Sequence, residues 1–301
     1  MSATPNRTAP ESTFRASILR RLRHNVSKTS LRNPVILLRH FGIAPADVFV
    51  SSYPRSGSTW LRFLLYEILT GQTADFRVVN QVFPGVGNHR FAPRLLSGGG
   101  RLIHSHEPYR REYRKAVYLV RDIRDVVLSA YAREKATGLV RWEFRDYLIP
   151  FLRGRTNGFG SWQQHVRSWL DADIKTTGDL LVITFEDMRS DPQRVLVSVV
   201  KFLGADANLP VIQAAINNNS IERMRIKEDN SQDSLKSRTE DGRFVRKGSV
   251  EGWRKKLNDA QLRAISRYAG EELLRMGYAP TSEPSDLSQA PNRERPLQTQ
   301  P

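Results

Sequence analysis

Along this chain, short apolar runs alternate with longer stretches in which apolar side chains return every three or four positions. The short runs, near residues 48–52, 101–106, 115–121 and 180–185, are bounded by glycine, proline or charge and read as buried strands. The longer stretches read as helices with one face turned inward. LRFLLYEIL follows Ser58 and can be closed by Gly71. Asp191 and Pro192 supply the N-cap and first position of a helix carrying Val195, Val199 and Phe202, and Gly204 ends it. Asn258 and Gln261 form a capping box for a last helix with Leu262, Ile265, Ala269, Leu273 and Met276, stopped by Gly277. Strand followed by helix, repeated from residue 48 to 277, predicts an α/β fold with a parallel central sheet flanked by helices.

A length of 301 residues suits one large domain with a full core. Its expected bounds are 40–280, between a basic extension at 1–39 and a tail at 281–301. Residues 1–13 and 280–301 are rich in Ser, Pro and other small or polar residues, a composition expected to be disordered. In the extension Phe14, Ile18 and Leu22 share a helical face, with Arg15, Arg20, Arg21 and Arg23 around it. Such a helix either packs on its own domain or makes a peripheral contact with an anionic membrane. Two polar loops, at 85–100 and 228–243, are candidate substrate lids or ordinary surface excursions.

Forty-seven basic against thirty-one acidic residues leave a formal charge of +16, which favours anionic partners: nucleotides, nucleic acid, acidic glycans or an anionic membrane. The absence of cysteine excludes a disulfide framework and a thiolate metal site. No run approaches the roughly 18 apolar residues of a membrane span and no secretory leader is recognisable, so a soluble, cytoplasmic protein is expected.

Candidate chemistry gathers in four places. VFVSSYPRSGSTW, residues 48–60, runs from an apolar strand through a small-residue loop into a helix. Amides at a helix start lack intrahelical partners and sit at the positive end of the dipole, so this loop is built to cradle an anion. Arg55 and the hydroxyls of Ser56, Ser58 and Thr59 add donors. With one glycine and no lysine it is not the GxxxxGK[ST] loop of nucleoside-triphosphate enzymes. In RLIHSHEPYR, residues 101–110, His104 and His106 point to one face of a strand that Pro108 ends. They are candidates for a general base, for two ligands of a zinc ion completed by His24, His40, His89, His165 or a carboxylate, or for satisfied structural histidines. In AVYLVRDIRDVVLSAYAR, Arg121 stands at the carboxyl end of a strand and Asp122 can cap the following helix; Arg121 either meets phosphate or pairs with a carboxylate. FVRKGSVEGW, residues 244–253, sets Arg246 and Lys247 beside Gly248, whose missing side chain lets a ligand approach the backbone.

These segments stand in the order and approximate spacing of the sulfotransferases that use 3′-phosphoadenosine 5′-phosphosulfate (PAPS), a family the chain resembles from residue 48 to 277. YPRSGSTW resembles its 5′-phosphosulfate loop, YLVRDIRDVVLSAY its 3′-phosphate strand and helix, and RKG its late 3′-phosphate loop. GSWQQHVRSWL resembles its WxxHVxxW helix and ITFEDM its YEDM strand end. The resemblance implies the P-loop-like sulfotransferase fold and transfer of a sulfuryl group from PAPS to an acceptor hydroxyl, without a metal. It implies that Arg55, Ser56, Gly57, Ser58 and Thr59 hold the 5′-phosphosulfate, that Trp60 stacks on adenine, and that Phe185 joins the cofactor-binding set. Arg121, Ser129, Arg246, Lys247 and Gly248 would bind the 3′-phosphate, and His106 takes the position of the catalytic base. The implied acceptor is a small molecule, a lipid or a glycan, with no nucleic acid and no obligate protein partner.

Several positions depart from the family pattern. Arg55 replaces a lysine, and because a guanidinium effectively never gives up its proton, it is expected to stabilise the leaving phosphate electrostatically. His104 stands where animal cytosolic members often carry a second lysine, and Phe185 replaces the tyrosine of YEDM, removing one hydrogen bond near the base. RKGSVEGW differs from RKGxxGxW in that its second glycine moves to Gly252. Arg254, Asn258, Asp259 and Arg263 occupy the places of the family's KxxxTVxxxE dimer segment, so that dimer is not expected. Trp162 and Trp169 lie seven apart on one helical face and read as core, and His165 between them as structural. Three rival readings remain: a magnesium-dependent P-loop kinase or NTPase, for which Asp122 is the acidic candidate, a nucleic-acid-binding module, and a nucleotide-binding family member without transferase activity.

Overall fold

The computed structural model describes residues 32–206, 208–231, 243, 245 and 248–279. The expectations for Arg246, Lys247, the 14–31 part of the basic extension, most of the 228–243 loop and the 281–301 tail lie outside the described residues. Four strands, β1 (Val48–Ser52), β2 (Leu102–Ser105), β3 (Ala116–Val120) and β4 (Leu180–Thr184), pair in parallel in the order β2-β1-β3-β4. Val50 sits opposite His104 on one side and Val117 on the other, and Tyr118 opposite Val182. Every residue of β1, β3 and β4 is buried because helices cover both faces, which is why these runs are apolar without alternation up to the hydroxyls of Ser51, Ser52 and Thr184 at their carboxyl ends.

The helices are α1 (Arg32–His40), α2 (Ser58–Thr70), α3 (Phe76–Val82), α4 (Ile123–Ala136), α5 (Phe144–Leu152), α6 (Trp162–Leu170), α7 (Phe185–Ser190), α8 (Pro192–Phe202), α9 (Leu209–Asn218), α10 (Ile221–Asn230) and α11 (Asp259–Arg275). Alternate strand residues feed two cores. On one face Phe49 and Tyr118 pack with Ile123, Tyr147, Trp162, Trp169 and Ile265 of α4, α5, α6 and α11. On the other, Val50, Val117 and Leu181 pack with Leu61, Leu64, Val195 and Ile212 of α2, α8 and α9. The expected caps are present: Gly71 closes α2 at φ 68, Asp191 accepts from the Arg194 amide, and Asn258 with Gln261 completes the capping box of α11.

α1 buries Ile36 and His40, whose Nε2 lies 2.6 Å from the Tyr113 hydroxyl, and leaves Val35, Leu37 and Leu38 exposed. Residues 85–100 are stitched to the outer edge of β2 instead of forming a flap. The Val86 amide donates to His104 O at 3.0 Å, the His104 amide donates to Pro84 O at 2.9 Å, and His89 is fully buried. The segment thereby covers a sheet edge. Among the described residues no helix is long and apolar enough to cross a membrane.

Candidate active site

Strand order reverses between β2 and β3 about β1, and open α/β sheets bind ligands at the carboxyl ends of strands where this happens. There the chain encloses a cavity of about 730 Å³. Its floor is the turn from β1 into α2. Arg55 and Gly57 both adopt left-handed backbone, at φ 73 and 101. A Cβ added to Gly57 would stand 2.6 Å from Cδ2 of Phe185, so glycine is required there twice over, by conformation and by space. Among the described residues no side chain caps α2, and Gly57, Ser58, Thr59 and Trp60 line the cavity at its positive end. Ser56 does not reach it. Its side chain is fully buried without a hydrogen bond among the described residues, and its amide donates to Tyr53 O at 3.3 Å.

Two arginines tie this floor to the rest of the site. Arg55 Nε donates to Ser129 Oγ at 3.1 Å, which brings a hydroxyl 74 positions away on α4 to this floor. Arg121, at the end of β3, donates from Nη1 to Arg55 O at 3.2 Å and from Nη2 to Ser249 O at 3.0 Å, with its guanidinium 4.3 Å from the Phe185 ring centre. One side chain therefore bridges the β1–α2 loop and the late loop. The carboxylate neighbour engages a different arginine, for Asp122 pairs with Arg124 at 2.7 Å.

Gly248 and Ser249 line the cavity, and a Cβ on Gly248 would meet Ile221 Cδ1 at 2.6 Å. The displaced glycine has a definite consequence. Glu251, which stands in the second glycine place of RKGxxGxW, takes the left-handed backbone itself at φ 56 and ion-pairs with Arg254 at 2.8 Å. Asp125, which the sequence did not single out, holds this loop by accepting the Trp253 amide at 3.0 Å. Burial raises the Asp125 pKa, with Arg121 opposing. Arg133, Lys255 and Lys256 also line the cavity; the signal for Arg133 was its place one helical turn beyond Ser129.

Trp60, Phe185, Met224 and Val245 make an apolar wall of the cavity. Trp60 Nε1 donates to Asn219 O at 2.9 Å, fixing the indole edge, and Arg189 stands 5.6 Å from its ring centre. Phe185 packs on Gly57, Trp60 and Arg121, beside the phosphate loop.

His106 borders the same cavity. Its Nδ1 lies 2.7 Å from Ser52 O, and since a carbonyl only accepts, Nδ1 carries the proton and Nε2 the lone pair. Burial, with Arg62 and Arg55 nearby, pushes its pKa down to about 4, while the Ser52 carbonyl acts the other way. His104 stacks edge-on at 4.4 Å and contacts Ser58 Oγ at 3.4 Å; burial and the neighbouring His106 and Arg62 hold it well below the ordinary imidazole range. For a zinc pair, no group of three possible ligands occurs among the described residues.

α6 supports both ends of this arrangement. Trp162 Nε1 donates to Arg121 O at 3.1 Å, His165 Nε2 to His106 O at 3.1 Å, and Trp169 Nε1 to Glu107 O at 3.2 Å. Trp162, His165 and Trp169 are all fully buried, as expected of core.

Comparison with known proteins identifies the family and the fold. The family model described as the sulfotransferase domain matches residues 45–277. Mouse sulfotransferase 1A1 is 26% identical over 247 residues, covering 74% of this chain and 83% of its own. Mouse sulfotransferase 2A2 is 27% identical over 262 residues, covering 80% and 88%. Among solved structures, mouse sulfotransferase SULT7A1 complexed with PAP superposes with a TM-score of 0.62 at 23% identity, covering 78% of this chain and 86% of that one. Retinol dehydratase in a complex with retinol and PAP gives 0.63 at 19% identity, covering 78% and 84%. At these identities the superpositions speak for the fold.

Proposed function

The chain belongs to the sulfotransferase domain family, enzymes that depend on PAPS, and we propose that its acceptor is a hydroxyl and that His106 is the general base. The observation that carries this reading is the Ser52–His106 hydrogen bond, because it leaves an unprotonated Nε2 beside a cavity floored by Arg55. The residues present suit an adenosine bearing two phosphate groups. The α2 amides, Ser58, Thr59 and Arg55 would take the 5′ side, Arg121, Ser129 and Gly248 the 3′ side, and Trp60 and Phe185 the base. Arg246 and Lys247 complete the 3′ set on the family pattern. Neither Ser56 atom engaged in packing nor its bonded amide recommends it for contact with the donor.

PAPS supplies a sulfur whose bond to the bridging phosphate oxygen is the one that breaks. His106 takes the acceptor proton at Nε2 as the new oxygen–sulfur bond forms. Arg55 and the α2 amides stabilise the negative charge left on the phosphate oxygen, and Arg55 does so without donating a proton. Positioning and fixed cations thus supply most of the rate, as in phosphoryl transfer. The test is a screen of phenols, steroid alcohols, lipid alcohols and glycans with labelled PAPS, followed by His106→Ala on the best acceptor. Turnover should fall about a hundredfold to ten-thousandfold while the affinity for adenosine 3′,5′-bisphosphate stays within about threefold. Turnover of the variant within about threefold of the parent would remove His106 from the role.

A further inference from the structure

His165 is a fully buried imidazole that the transfer chemistry does not use, and every polar atom of its ring is engaged. Nε2 faces His106 O at 3.1 Å and must donate, so Nδ1 is the acceptor and takes the Tyr118 hydroxyl hydrogen at 2.9 Å. Burial pushes its pKa down to about 3, so the ring is neutral near neutral pH and its two hydrogen bonds fix which nitrogen carries the proton. Tyr118 is itself immobile: it lies in β3, fully buried, stacked on His165 at 5.7 Å and on Trp169 at 5.0 Å. A chain of hydrogen bonds therefore runs from the middle of the sheet through His165 to the main chain of His106, just past the end of β2. From there the His106 ring bonds back to β1 at Ser52. We propose that Tyr118 and His165 are positioning residues that fix the backbone of His106, and with it the direction of Nε2 in the transfer step. The proposal rests on the reading of His106 as base. Its physical ground is that β2 ends at Ser105, so beyond it the His106 carbonyl has left the sheet ladder. Without the His165 donor that carbonyl would turn toward another partner and carry the imidazole with it.

The experiment is a double-mutant cycle of His165→Phe with His106→Ala, run on the full chain well below each variant's melting temperature. His165→Phe should lower kcat about ten- to hundredfold, as a misplacement near 1 Å does. KM for PAPS and Kd for adenosine 3′,5′-bisphosphate should stay within about twofold, because the phosphate loop is held by other bonds. In the His106→Ala background the same change should cost less than about twofold, and His165→Gln, whose amide reaches the Nε2 position, should restore much of kcat. If His165→Phe does not fold, Tyr118→Phe decides, because it deletes one buried hydroxyl with little change in volume and frees the His165 tautomer; a threefold or larger fall in kcat, lost in the His106→Ala background, is expected. A parent-like kcat in the deciding variant overturns the proposal, as does an equal loss with and without His106. A parent-like kcat in His106→Ala alone instead overturns the base assignment, so the two failures are told apart.

Discussion

The Nδ1 of His106 lies 2.7 Å from the carbonyl oxygen of Ser52, the last residue of β1, so the imidazole at the end of one strand is clamped in a single tautomer by its neighbour. That bond opposes the desolvation that lowers the pKa of the ring to about 4, and desolvation wins. Neutral His106 is the form able to accept a proton. The acid limb of kcat/KM should therefore fall as pH drops through about 4 to 5 instead of near the ordinary imidazole value of about 6.5. A pH–rate profile with its acid limb at 6.5 or above would contradict this.

Gly57→Ala tests the floor of the cavity. A non-glycine residue at φ 101 costs about 1–2 kcal/mol, and the new Cβ would also push on the Phe185 ring from 2.6 Å. We expect the melting temperature to fall by about 3–8 °C and the affinity for adenosine 3′,5′-bisphosphate to drop at least about tenfold. A variant that melts within about a degree of the parent would contradict both the backbone cost and the clash with Phe185.

Arg121 bridges Arg55 O and Ser249 O, and its charge faces the cavity between them. Replacing it with Met should weaken adenosine 3′,5′-bisphosphate by about 1.5–3 kcal/mol and AMP by far less, because on the proposed reading the lost interaction is charge-assisted and made to the 3′-phosphate. Calorimetry with both nucleotides decides: equal weakening would make Arg121 a loop brace and nothing more.

Stability should climb through the acid range and level off near neutral pH. His104, His106 and His165 all have pKa values below the unfolded imidazole value, so the unfolded chain binds protons first and stability is lost as pH falls from about 6.5 toward 4. Glu186 acts in the opposite sense. Burial raises it to about 7, against hydrogen bonds from Tyr278 and the Asp122 amide, so its share of stability is lost as pH rises from about 4.5 through 7. Melting curves from about pH 4 to 8 in wild type and Glu186→Gln would separate the two contributions: the variant should gain stability more steeply between about 4.5 and 7, because the opposing loss is gone. A rise with pH no steeper in Glu186→Gln than in wild type would contradict the raised Glu186 pKa.

Much of this molecule was legible in its residue order. The strands fall within a residue or so of their expected bounds because a run buried on both faces favours apolar side chains, with only small hydroxyls and His104 at the carboxyl ends. Gly71, Asp191 and the Asn258–Gln261 pair announced helix ends because capping is a contact between residues at most four apart. The anion floor was visible for the same reason: a strand, a turn and a helix start are contiguous. What pattern could not supply was partners. Ser56 carries the same hydroxyl as Ser58, but packing turns it inward, and Glu251 looks like any exposed acid until the loop requires a left-handed residue there.

By itself, then, the sequence determined the parallel sheet, the capped helices and the family of the cradle at the end of β1, all of them consequences of local hydrogen bonding and of which faces must leave water. Tertiary structure alone decided that Arg121 spans two loops, that Asp125 holds the later one, and that His165, read as core, also grips the main chain of His106. Those bonds join residues 59 to 128 positions apart. Their partners are main-chain or side-chain atoms brought within 3.3 Å by the packing of whole helices on the sheet, a distance to which no periodicity along the chain is sensitive.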